Sequence, residues 1–141
     1  MSAVAVVSEA RRWIGTPYRH QASCRGAGAD CLGLVRGVWR EVCGQEPVTP
    51  PAYTSDWAEA ERDERLWRAA RQYLREVARA PEVGDVILFR MRAGMVAKHL
   101  GIVSSLGPSP RFIHAYQRHG VIESPLSAPW LRRAVSFFEF P

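Results

Sequence analysis

The sequence predicts an α+β domain, with N-terminal helices packed on a C-terminal antiparallel sheet of about five strands. Two observations carry that expectation. Before Pro81 apolar residues recur at helical spacing, whereas after it they alternate with a period of two. The strand-like runs also follow one another through Gly, Pro and Ser turns instead of alternating with helices, which argues against a parallel α/β sheet. At 141 residues, 47% hydrophobic and 23% charged, a single domain over residues 1–141 has enough chain to bury a core without a disulfide scaffold.

In order, Val4 to Ile14 places Val4, Val7 and Ile14 on one side with Glu9, Arg11 and Arg12 between them, a short amphipathic helix ended by Gly15-Thr16-Pro17. Gln21 to Ala29 is rich in small residues and reads as a loop. Asp30 is a good N-cap, and Leu32, Val35, Val38, Trp39 and Val42 share one face of the helix it opens. Gly33 and Gly37 on that helix would let a backbone approach closely, and Gly44 and Pro47 stop it. Pro47 to Asp56 is a proline-rich connection. Trp57 to Ala80 carries Leu66, Ala70, Tyr73, Leu74 and Val77 at core spacing and is expected to be helical up to Pro81. Strands are expected at Val86–Arg90, His99–Ser104, Arg111–Gln117, Val121–Ser124 and Ala134–Phe140.

The formal net charge is +5, with Lys98 the only lysine beside 18 arginines. The arginines are spread along the chain and interleaved with acids, as in Glu61-Arg62-Asp63-Glu64-Arg65, so a solvated surface is expected and no nucleic-acid stripe. No apolar run approaches the roughly 18–20 residues of a membrane span. The run Ala3 to Val7 has neither a basic lead-in nor a small-residue cleavage site, so no signal peptide is expected and synthesis in the cytoplasm is.

Three cysteines, Cys24, Cys31 and Cys43, match neither a zinc knuckle nor a secreted disulfide framework. Cys31 stands at a helix start capped by Asp30. The unpaired N–H groups there favour a thiolate, the nucleophilic form. A hairpin placing Val103 opposite Pro110 sets His99 against His114 on one face and leaves Leu100, Ile102, Ile113 and Ala115 for the other. Cysteine, base and orienting imidazole then form a nucleophilic constellation; structural histidines or a Cys-His-His zinc site are the alternatives.

Gly15-Thr16-Pro17-Tyr18, Asp30-Cys31-Leu32-Gly33-Leu34-Val35, Gly84-Asp85-Val86-Ile87-Leu88-Phe89, His99-Leu100-Gly101-Ile102-Val103 and Ile113-His114-Ala115 occur in that order. Together they resemble the NlpC family of bacterial cell-wall cysteine peptidases over essentially the whole chain. The resemblance implies a papain-like α+β fold, with Cys31 as nucleophile, His99 as general base and His114 as the orienting third residue. It also implies a substrate-positioning or oxyanion role for Tyr18, a place at the active-site mouth for Asp30, and no metal or organic cofactor. The implied reaction is cleavage of a peptidoglycan stem-peptide amide of the D-γ-glutamyl–diaminopimelate type. His20-Gln21 and Leu32 depart from the Gly-Gly and serine of many members, next to the nucleophile.

More narrowly, His20-Gln21-Ala22-Ser23 with Arg25-Gly26-Ala27-Gly28, the Asp30-Cys31-Leu32-Gly33-Leu34 form and Pro51-Ala52-Tyr53 resemble the phage and gene-transfer-agent branch, whose members are tail-associated cell-wall peptidases. That implies phage-like tail or baseplate hub proteins as partners, with incorporation into a tail particle and action in the cell envelope. Two other functions are compatible with the residues: a tail-hub or adaptor protein that keeps the fold but only binds, and a thiol acyltransferase or amidase acting on another substrate.

Overall fold

A computed structural model describes residues 2–54, 57 and 62–141. Helix α1 (Ala3–Arg12) is followed by a two-stranded hairpin, β1 (Ser23–Cys24) and β2 (Gly28–Ala29), and by α2 (Cys31–Val42). After the 47–54 segment, which has no regular structure, come α3 (Arg65–Tyr73) and β3 (Arg75–Val77). Then follow β4 (Val86–Phe89), β5 (His99–Ser105), β6 (Arg111–Tyr116), β7 (Gly120–Pro125), α4 (Ala128–Arg133) and β8 (Ala134–Glu139). All pairings in the main sheet are antiparallel, in the order β3-β8-β4-β5-β6-β7. The α+β class and the five expected strands are present, but the sheet has six strands.

The sixth strand corrects the expected Trp57–Ala80 helix. Among the described residues its helical part is Arg65–Tyr73; residues 58–61 lie outside them. Leu74 turns extended, and Arg75, Glu76 and Val77 pair with Glu139, Phe138 and Phe137. Arg and Glu are good helix formers, so local propensity favoured the helix. The free edge of β8, distant in sequence, decides otherwise. Sequence reading also placed no element at α4, although Pro129 in its first turn is a recognised start signal.

Two apolar layers flank the sheet. One joins Val6, Ala10, Leu34, Val38, Leu66, Leu100, Ile102, Ile113 and Ala115; the other joins Ile87, Phe89, Val103, Phe112 and Leu126. Both faces are thus dry at the centre, which explains why β4 reads as the unbroken apolar run Val-Ile-Leu-Phe. The α2 glycines mark close approaches. A Cβ on Gly33 would stand 1.8 Å from the Ala22 carbonyl oxygen, and one on Gly37 would stand 1.9 Å from the Trp13 ring.

The β5–β6 register differs from expectation by two residues. Val103 pairs with Phe112, not Pro110, and the pairing slips between Val103 and Ser105. A shift of two preserves which face each side chain occupies. His99 and His114 therefore still meet, diagonally across the ladder.

Candidate active site

The start of α2 and the start of β5 converge on an open cleft of about 470 Å³, enough for a peptide segment. Its lining includes Tyr18, Asp30, Cys31, Tyr53, His99 and Tyr116. Asp30 caps α2 as the sequence predicts: its Oδ1 accepts the Gly33 N–H at 2.7 Å. Its Oδ2 accepts the Gln21 N–H at 2.7 Å and the Tyr53 hydroxyl at 2.5 Å. The residue is only 3% exposed, and three donors satisfy a carboxylate that burial would otherwise penalise.

Cys31 is the first helical residue and is buried. Its thiol lies 3.8 Å from the Lys98 carbonyl, and the Leu100 backbone also bonds the sulfur. Those two residues flank His99 in the chain, so the sulfur sits beside the backbone of the expected base. Burial first, and then the Asp30 charge, push the Cys31 thiol up to about 12. Backbone bonds from Leu100, Leu32 and Cys31 itself act in the opposite direction without winning. Burial thus opposes the thiolate that the helix start alone would favour.

The histidines are sequestered. His99 Nε2 and His114 Nδ1 share a hydrogen bond of 2.8 Å, and His114 Nε2 lies 2.9 Å from Ser124 Oγ. Burial, then the charges of His114 and Lys98, hold His99 well below the usual imidazole range. Burial, then His119, lowers His114 to about 4. Both rings are neutral near pH 7. The indole of Trp130 packs 5.7 Å from the His99 ring and 5.2 Å from the His114 ring, which is the local source of that dryness. With Nε2 of His99 occupied by His114, its Nδ1 is the ring nitrogen left for a reacting partner.

Tyr18 bridges to Ala29 and enters the cleft beside Cys31. Burial, then Cys31 and Asp30, push its hydroxyl up to about 12, so it remains a donor. His20 lies at the rim with Nε2 2.8 Å from the Tyr53 carbonyl oxygen, and His119 is exposed and stacks on Tyr116. The two walls are joined by backbone: the Gly15 N–H donates to the Val121 carbonyl at 3.0 Å, and the Val121 N–H donates to the Thr16 carbonyl at 2.9 Å.

All five expected site residues, Tyr18, Asp30, Cys31, His99 and His114, are thus found together. Sequence reasoning missed the parts played by Tyr53, Ser124 and Trp130. Tyr53 stood in a motif noted for its resemblance, whereas Ser124 and Trp130 depend on register and on an unforeseen helix. A second groove, between α2 and α3, is lined chiefly by apolar residues such as Val35, Trp39 and Leu66 and holds no cysteine or histidine. Among the described residues no group of three or more His, Cys, Asp or Glu side chains is placed to hold a metal ion, and no helix is long and apolar enough to cross a membrane.

Comparison with known proteins bears on the fold and the family. The gamma-DL-glutamyl hydrolase of Bacillus subtilis (strain 168) is 32% identical over 124 residues, covering 88% of this chain and 26% of that protein. The chain therefore spans about a quarter of the curated relative it matches. The NlpC/p60 domain of the peptidoglycan hydrolase SagA superposes with a TM-score of 0.66 at 22% identity, covering 99% of this chain and all of that one. An NlpC/P60 family protein from Bacillus cereus ATCC 10987 gives 0.65 at 17% identity, over 99% of this chain and 40% of that one. At those identities the likeness speaks for the fold. The sequence profile of the NlpC/P60 family matches residues 15–138, and the chain belongs to that family.

Proposed function

We propose that the protein is a cysteine peptidase of peptidoglycan, cleaving a stem-peptide amide of the D-γ-glutamyl–diaminopimelate type. The observation that carries this reading is the convergence of Cys31 and His99 in one open cleft, with His114 hydrogen-bonded behind His99. Family membership and the name of the B. subtilis relative, a γ-glutamyl hydrolase, support the bond type.

In this reading His99 Nδ1 takes the Cys31 proton as the sulfur attacks the amide carbonyl carbon. A resting thiol beside a neutral imidazole needs such coupled transfer. Backbone N–H groups at the start of α2, with the Tyr18 hydroxyl, hold the oxyanion. The carbon–nitrogen bond breaks as His99 returns the proton to the leaving amine, giving a thioester. Water then attacks with His99 as base, which frees the carboxylate and restores the thiol. His114 holds the His99 ring, and Asp30 shapes the mouth of the cleft.

Delivery on a phage-like tail, through a tail or baseplate hub protein, is the accompanying proposal. It is supported by the branch-like motifs, among them those at residues 20–23 and 51–53. Far apart in sequence, they are in contact here, since the Gln21 side-chain amide donates to the Tyr53 carbonyl at 2.6 Å. The test is digestion of purified sacculi with mass spectrometry of the products. New amino groups at diaminopimelate are expected from the natural protein and none from Cys31→Ala. Undiminished release by that variant would falsify the assignment, and transfer products without hydrolysis would favour an acyltransferase.

A further inference from the structure

Beyond the three residues of the proposed triad, Ser124 ends the hydrogen-bonded series that starts at His99. It lies on β7, where Phe112 is its direct partner and Ile122 is the partner of His114, so it reaches His114 diagonally. The spacing of the series is short throughout, 2.8 Å between the imidazoles and 2.9 Å from His114 Nε2 to Ser124 Oγ. Each neutral imidazole has one N–H and one bare nitrogen, and two bare nitrogens or two N–H groups cannot face each other. Only two arrangements of the series are therefore allowed.

In one, His99 Nε2–H donates to His114 Nδ1, and His114 Nε2–H donates to Ser124 Oγ. His99 Nδ1 is then bare and can accept a proton. In the other arrangement every bond is reversed, His99 Nδ1 carries a hydrogen, and the ring cannot act as a base towards Cys31. Once His99 has accepted a proton both its nitrogens are donors. His114 Nδ1 must then accept, and its own proton must go to Ser124 Oγ. The charged state has no other arrangement without a clash of donors. His114 is fully buried, so an N–H left without an acceptor there is costly, and hydrogen bonds in series strengthen one another.

We infer that Ser124 is a positioning residue for this reaction: by accepting from His114 Nε2 it selects the tautomer that makes His99 a base and stabilises its protonated form. The inference rests on the reading of the site given above. It assigns Ser124 no contact with substrate, and its action passes through His114.

Thr and Val at position 124 have nearly the same shape and differ in the hydroxyl, so that pair isolates the acceptor from packing. Both suit a strand. Ser124→Thr should keep kcat within about threefold, whereas Ser124→Val and Ser124→Ala should lose about tenfold or more, in kcat and not in KM. The acid limb of kcat/KM should move to lower pH in the Val and Ala variants, because the imidazolium has lost its support. Nitrogen-15 NMR of the natural protein and of Ser124→Thr should place the His114 proton on Nε2, with mixed tautomers in Ser124→Val. Equal kcat and an unshifted acid limb for Val and Thr would overturn the inference. If the natural protein cleaves no stem peptide, the proposed function falls while the NMR comparison still decides this one: a proton on His114 Nδ1 in the natural protein overturns it.

Discussion

The Tyr53 hydroxyl donates to Asp30 Oδ2 at 2.5 Å, and the same carboxylate caps α2 and holds the Gln21 backbone. Tyr53 also stacks on Trp57 with ring centroids 4.2 Å apart. One bond thus fastens the 47–54 segment to the helix that presents the cysteine. Tyr53→Phe keeps the ring stacking and loses the bond to a buried charge. It should cost about 1–3 kcal/mol in urea unfolding and speed proteolysis within residues 47–54.

Cys24 is exposed and Cys31 is buried with its thiol pushed up to about 12. Iodoacetamide reacts with the thiolate, so at pH 7 it should modify Cys24 at least about tenfold faster than Cys31 in the free protein. Peptide mapping after timed labelling checks the order. Faster labelling of Cys31 would mean that a thiolate–imidazolium pair rests in the site.

Acid stability should follow His114, which is lowered to about 4 in the folded chain against an ordinary value of 6.5. The full stability is present above pH 6.5. As pH falls towards 4 the unfolded chain binds a proton that the folded chain does not, so up to about 3 kcal/mol is lost. His99, shifted in the same direction, adds to the loss. Urea unfolding at pH 7 and pH 5 should show the decline, and His114→Asn should make it shallower.

Trp130 touches His99, His114, Phe89, Phe112 and Tyr116, with ring centroids between 5.1 and 5.7 Å. Trp130→Ala should cost about 3 kcal/mol. It should also admit water to the imidazoles and return their titration towards 6.5. Imidazole proton NMR across pH 4–8 reads the second effect separately from the first.

The parts of this fold that were legible in the sequence are those set by local chemistry. Asp30 before an apolar helical face gave α2, and the close backbone approach expected at its glycines is met at Gly33 by Ala22, whereas Gly37 admits the Trp13 side chain instead. The facing histidines survived a register error because two residues of slip leave the face unchanged. What escaped depends on distant partners. Arg75–Val77 becomes a strand only because β8 offers an edge, and Ser124 reaches His114 only once the β6–β7 register is known. The surroundings of the Cys31 thiol escaped for a related reason: a helix start is visible in sequence, but the burial that opposes a thiolate there is not.

The backbone bonds joining Gly15 and Thr16 to Val121 fix the distance between the Tyr18 wall and the β6–β7 wall. Gly120 tightens that seam, since a Cβ there would stand 2.5 Å from the Thr16 oxygen. Backbone bonds therefore tie these two walls of the cleft together at their base. A cross-linked polymer has no free end to thread into a closing mouth. An open trough whose width is set at that seam would suit the proposed substrate, because such a network can then be gripped from the side.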